Sequence, residues 1–158
     1  MQIYLASSLR AMDAVRELGK TLRAVGHSVY VFCDQNEPAH AASIFVRKGS
    51  AEKEFTPQTA VRNPLVSNIF GFNMAELNKA QCVLLVLPAG KSAHLEAGYA
   101  KGQGKPVVLY GKMPVGEWDA MYGMFDHIFN IDETEMMMDW FRRLREAEVQ
   151  RNAATPCA

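Results

Sequence analysis

The sequence predicts an α/β domain built on a doubly wound parallel sheet of five strands, and three observations carry that prediction. Five short apolar runs rich in β-branched and aromatic residues recur along the chain, at 3–6, 28–33, 82–87, 106–110 and 127–131. Longer segments with apolar residues at three- and four-residue steps separate most of them, which is the alternation of parallel strands with crossover helices. The run at 82–87 is apolar on both of its faces, as a central strand covered by helices on both sides must be.

Taken in order, the strand at 3–6 leads to Ser7 and Ser8, two candidate N-caps for a helix that runs to about Ala24. Leu9, Met12, Val15, Leu18, Leu22 and Val25 give that helix its apolar face, and Gly26 ends it. Asp34 stands at the end of the second strand. Residues 35–62 are weakly patterned, with Pro38, Gly49 and Pro57 interrupting short runs; a lid or base-facing segment with one short helix is expected there. Asn63 and Pro64 make a strong helix start, and this helix is expected to break or bend near Gly71 before reaching Ala80.

After the third strand, Ser92 is expected to open a helix extending to about Gln103. Its small residues Ala93, Ala97, Gly98 and Ala100 allow close packing on the sheet. Residues 113–124 read as a loop or broken helix. Asp132 is the expected cap of a last helix whose inner side carries Met136, Trp140, Phe141 and Leu144. This succession gives a flavodoxin-like strand order 2-1-3-4-5, with the switch point between strands one and three. Residues 1–150 are expected to form one domain and 151–158 a disordered tail.

Composition narrows the partners. Seventeen basic and seventeen acidic side chains cancel, so no global field draws in a nucleic acid polymer or an anionic membrane. A small ligand or a second copy of the chain is the expected partner. The three cysteines, Cys33, Cys82 and Cys157, have no CxxC spacing and read as reduced thiols, two of them in the core. With no signal-peptide pattern and no apolar stretch near the ~20 residues of a membrane span, a cytoplasmic protein is expected. No metal and no cofactor is predicted: the histidines His27, His40, His94 and His127 lack ligand spacing.

Glu96 is the strongest candidate for chemistry, because its neighbours Leu95, Ala97 and Gly98 are apolar or small and do not call for a carboxylate. The competing reading is a glutamate that complements the helix dipole. Ser7, Ser8 and Arg10 sit where backbone N–H groups, hydroxyls and a guanidinium together hold a phosphate; plain capping by the serines competes with this. Gly90, Lys91 and Ser92 form a similar, shorter loop that lacks the GxxxxGK[ST] pattern of a P-loop. Tyr4 lies on an otherwise aliphatic strand, so its hydroxyl needs a partner if buried. His94 reads as a structural or supporting histidine.

Three segments together resemble the nucleoside 2-deoxyribosyltransferase superfamily, including nucleoside 5′-monophosphate N-glycosidases: IYLASSLR, NMAELNKAQCVLLVLP and GKSAHLEAGYAKGQGKPVVLY, whose LEAGYA is similar to the family's E-x-G-x-A signature. The similarity covers roughly residues 1–132. It implies a flavodoxin-like domain that cleaves the bond between a base and a (deoxy)ribose, with a nucleoside or nucleotide as small-molecule partner and a homodimer or larger assembly. By the resemblance, Glu96 is the nucleophile, Tyr4 positions it, and Ser8 and Arg10 hold a 5′-phosphate. Asn73 occupies a sugar- or base-contacting position where the family commonly has aspartate. Gln81 also replaces a frequent aspartate, and residues 88–96 lack the acidic residue of true transferases. An amide cannot act as a general acid. The competing function is therefore a catalytically weak nucleotide-binding module acting as a sensor or partner protein. A flavin-binding domain of flavodoxin type is the third reading, disfavoured by the few hydroxyls in the first loop.

Overall fold

The structure, a computed structural model, describes residues 1–34, 55–113 and 115–154. Five strands, β1 (Gln2–Ala6), β2 (Ser28–Val31), β3 (Cys82–Val86), β4 (Val107–Gly111) and β5 (His127–Asn130), form one parallel sheet in the order β2-β1-β3-β4-β5. That is the expected flavodoxin-like order.

Because successive strand residues point to opposite faces, the sheet has two cores. Ile3, Leu5, Leu84, Val86 and Val108 point to one side, where α1 (Met12–Ala24) and α4 (Thr134–Ala154) cover them with Val15, Leu22, Met137 and Phe141. Tyr4, Ala6, Tyr30, Leu85 and Leu109 point to the other, against Leu77 of α2 (Pro64–Lys79) and Ala93, Ala97 and Ala100 of α3 (Lys91–Gly102). The alanines let α3 lie against the sheet. Gly98, by contrast, faces open space, and a Cβ there would meet nothing within 4 Å.

Several local expectations are corrected. Only Ser8 of the two serines caps, accepting from the Arg10 backbone N–H at 3.2 Å, and it caps a 3₁₀ turn (Leu9–Ala11) that precedes α1. The second strand stops at Val31 rather than residue 33: the Cys33 carbonyl accepts two bonds from the Arg16 guanidinium, at 2.7 and 3.0 Å, instead of joining the ladder. α2 runs uninterrupted through Gly71, since a single glycine costs only about 1 kcal/mol against alanine in a helix already capped by Asn63.

α3 begins at Lys91 with Gly90 as N-cap, one residue before the expected Ser92. Asn130, not Asp132, starts the final helical segment, through a capping box with Glu133 around a 3₁₀ turn. On α4 the inward methionine is Met137, in phase with Phe141, while Met136 is 61% exposed. α4 also continues to Ala154, into the residues expected as tail, because Ala153 and Ala154 are strong helix formers. In the weakly patterned segment a helical turn, Pro57–Ala60, follows Thr56; residues 35–54, the rest of the expected lid, lie outside the described residues, as do His40 and Cys157. Cys33 and Cys82 are buried free thiols. No helix among the described residues is long and apolar enough to cross a membrane.

Candidate active site

Two neighbouring strands and one helix set the centre of the site. The β1–β2 register pairs Tyr4 with Tyr30, so both rings emerge on the α2/α3 face and stack, with centroids 5.1 Å apart and planes 27° apart. Tyr4 is fully buried. Its hydroxyl donates to Glu96 Oε1 at 3.0 Å, reaching across to the second turn of α3. Tyr30 in turn donates its hydroxyl to Asn73 Oδ1 on α2, also at 3.0 Å. A continuous line thus joins three elements: Asn73 to Tyr30 by a hydrogen bond, Tyr30 to Tyr4 by stacking, and Tyr4 to Glu96 by a second hydrogen bond.

Electrostatics follow from this packing. Burial disfavours the charged carboxylate and pushes Glu96 up to about 7, while the Tyr4 hydrogen bond pulls the other way because it favours the ionised form. Burial together with the adjacent carboxyl group pushes the Tyr4 phenol far above its usual range, so it stays a proton donor to Glu96. Glu96 near neutrality is thus divided between acid and carboxylate, and a cationic or partly cationic ligand group would select the carboxylate.

The loops beyond β1 and β3 are tied together. Ser7 Oγ donates to the Val86 carbonyl at 2.8 Å and the Ser8 N–H to the Pro88 carbonyl at 3.3 Å. Arg10 Nε donates to Ser8 Oγ at 3.4 Å. These contacts bring Ser8 and Arg10 beside the loop that leads to Gly90. The Ser7 hydroxyl is occupied by backbone carbonyls, and Ser92 is exposed.

His94 is separated from Glu96 by about 200° around α3, two residues at 100° each. It sits on the opposite flank, its Nδ1 2.9 Å from the Gly90 carbonyl and its ring stacked on Tyr122 with centroids 6.1 Å apart. A cavity of about 660 Å³ opens on that flank, lined by Arg10, Pro88, His94, Lys112, Trp118 and Tyr122 among others, and Glu96 does not line it. The residues singled out in the sequence therefore fall into two groups. Tyr4, Glu96 and Asn73 make the first; Arg10 and His94 border the second. Gln81 belongs to neither: it precedes β3 at the other end of the sheet, accepts from the Gln2 N–H at 2.7 Å and donates to Glu148. Among the described residues no group of three His, Cys, Asp or Glu side chains gathers as a metal site.

Tyr30 was not legible as a site residue from its own surroundings. The signal was relational: a second tyrosine lies on the adjacent strand at the position that pairs with Tyr4.

No protein-family model and no curated protein matches the chain. Solved structures do. A 2-deoxyribosyltransferase from Bacillus psychrosaccharolyticus aligns with a TM-score of 0.55 and 21% identity over 82% of this chain and 85% of that one. The CMP N-glycosidase BcmB of Clostridium botulinum aligns with a TM-score of 0.52 and 10% identity, covering 90% and 99% of the two chains. A conserved protein from Enterococcus faecalis V583 gives 0.52 and 11%, covering 90% and 98%. The chain shares their fold. At these identities the architecture is what is held in common, and the chemistry has to be argued from this chain's own residues.

Proposed function

We propose that this protein cleaves the N-glycosidic bond of a (deoxy)nucleoside or its 5′-monophosphate, with Glu96 as nucleophile. The observation that carries the reading is the Tyr4–Glu96 hydrogen bond: a partly buried carboxyl group is fixed by a fully buried phenol and left with Oε2 for the substrate. The shared fold with a deoxyribosyltransferase and a nucleotide N-glycosidase supports it.

In this mechanism the C1′–N bond breaks as Glu96 Oε2 approaches C1′, and the base leaves with the bonding electrons and takes a proton from solvent. The sugar carries oxocarbenium character at that moment, which a fixed carboxylate stabilises and then captures as a glycosyl-enzyme ester. Attack of water at C1′ releases the sugar, returns the carboxylate and frees a proton; a second base attacking instead completes a transfer. Ser8 and Arg10, tied to the Pro88 loop, are the proposed holders of a 5′-phosphate, supplying positioning energy away from the bond that breaks. Assembly as a dimer or larger belongs to the same reading, supported by the exposed Phe70 on α2 and Leu95 on α3.

The test is base release from a panel of nucleosides and 5′-monophosphates, followed by chromatography. Glu96→Gln keeps the Tyr4 contact and is expected to lower turnover by a factor on the order of 10³ or more; unchanged turnover removes the mechanism. Arg10→Ala is expected to raise KM for monophosphates about tenfold while leaving nucleosides nearly unaffected, since one charge-assisted bond is lost. The second reading, a nucleotide-binding module without catalysis, is favoured by Asn73, whose amide accepts from Tyr30 and has no proton to give as an acid. Calorimetric binding of a nucleotide with no base release over long incubation would select it.

A further inference from the structure

We infer that Tyr30 and Asn73 are positioning residues for Glu96, acting through Tyr4 as a rigid arm that runs from α2 across two strands to α3. The inference rests on the glycosidase reading for its kinetic arm, and on geometry alone for the rest.

A tyrosine on a strand swings about χ1 and carries its hydroxyl tip with it, whereas χ2 only spins the ring about an axis that passes through the hydroxyl oxygen; a hydrogen bond from the tip therefore survives only while the ring is kept from swinging sideways. Tyr4 is held on one side by stacking against Tyr30 at 5.1 Å. Tyr30 would swing in the same way, but its own tip is fixed on Asn73 at 3.0 Å. Asn73 sits in the middle of α2, a helix capped at its start by Asn63 and held near its end by Lys105, whose ammonium donates to the Leu77 and Asn78 carbonyls at 2.8 and 2.9 Å. The arm is thus anchored to a helix that does not itself carry Glu96.

Charge also bears on the choice of amide. The groups around Tyr4 are Glu96 on α3, Tyr30 on β2 and Glu76 on α2; Glu76 is paired with Lys79 at 2.6 Å and accepts from Gln2 at 3.3 Å. An aspartate at 73 would place another carboxylate behind the two tyrosines and disfavour ionisation of Glu96 further. A neutral acceptor fixes Tyr30 without that effect. On this reading Asn73 is matched to Tyr30 and is not a vestige of a lost acid.

The experiment follows the Glu96 carboxyl by ¹³C NMR titration without substrate, its resonance assigned by Glu96→Gln, alongside turnover of nucleoside 5′-monophosphates. In Tyr30→Leu the stack is gone, so the Tyr4 bond weakens. The Glu96 midpoint is expected to rise and kcat to fall about tenfold with KM little changed. Tyr30→Phe and Asn73→Ala cut the same hydrogen bond and are expected to shift the midpoint in the same direction by a smaller amount, with the double variant no worse than either alone. A folded Tyr30→Leu protein in which both the midpoint and kcat match the wild type overturns the inference. Should that variant fail to fold, additive effects of Tyr30→Phe and Asn73→Ala overturn it instead. If wild-type protein releases no base at all, the glycosidase reading fails, and the titration still decides the arm.

Discussion

The two faces of the sheet use alternate residues of the same strands, and they are built to opposite ends. On the α1/α4 face, Ile3, Leu5, Val29, Val31, Leu84, Val86 and Val108 pack in one apolar cluster with residues of the helices. On the α2/α3 face the same strands present Tyr4 and Tyr30, whose hydroxyls must be satisfied, and α3 answers with Glu96 amid alanines. The first face is where burial stabilises the fold. The second gives up part of that stability to keep a carboxyl group out of water. Sites that hold a group in an unfavourable state commonly carry such a cost.

The largest expected effect tests the first face. Phe141 is fully buried beneath the sheet, and Phe141→Ala is expected to lower unfolding free energy by about 3–5 kcal/mol through lost burial and an uncollapsed cavity. Chemical denaturation measures it. The Glu96 titration of the protein that remains folded should be unaltered, and a shift there would mean that the two faces are not independent.

The second face is tested through pH. Glu96 has a folded-state value raised to about 7 from an ordinary 4.5, so the native state binds the proton more tightly than the unfolded chain. Its contribution is therefore favourable below the unfolded value and is lost as pH rises from about 4.5 through about 7. Glu96→Gln should remove that loss and be more stable than wild type at pH 8 by roughly 2 kcal/mol, after allowing for the solvent that reaches a partly exposed side chain. In the proposed mechanism the reacting form is the carboxylate, so wild-type kcat/KM should rise with pH and level off above a midpoint of about 7. A flat profile would separate Glu96 from the chemistry.

The smallest effect sharpens the contrast. His27 is buried on the first face, edge-on to Phe141 with centroids 6.0 Å apart, and among the described residues its Nδ1 has no hydrogen-bond partner. Burial, with the amino terminus and Arg145 nearby, holds its pKa below the usual value. The native state therefore resists protonation, and stability should fall as pH drops below about 6.5 toward the lowered folded value. His27→Leu is expected to flatten that acid limb, read from thermal unfolding between pH 5 and 7. The two faces would then respond to pH with opposite sign.

Strand order, the helices and the position of Glu96 near the start of α3 were legible because they rest on period and punctuation, which are local. What was not legible depends on which groups meet across elements. Ser7 and Ser8 are adjacent and alike, yet one caps a turn while the other bonds to the Val86 carbonyl of β3. His94 lies two positions from Glu96, so helix period alone sets the two on opposite flanks, but which flank faces Tyr4 is plain only once the sheet fixes the helix's rotation. Tyr30 acquires its place from strand register alone. Gln81, which stands where the resembled family frequently has aspartate, bridges Gln2 and Glu148 at the far end of the sheet.

The alternation along β1 would make the proposed activity a witness to folding. A chain in which this strand docked one step out of phase would swing Tyr4 into the oily compartment and offer Glu96 an isoleucine or a leucine for company. Such a molecule would pass as compact and parallel-stranded by spectroscopy, yet it would have nothing to grip the carboxyl group, so an assay of the proposed activity would detect a misthreaded population that circular dichroism overlooks.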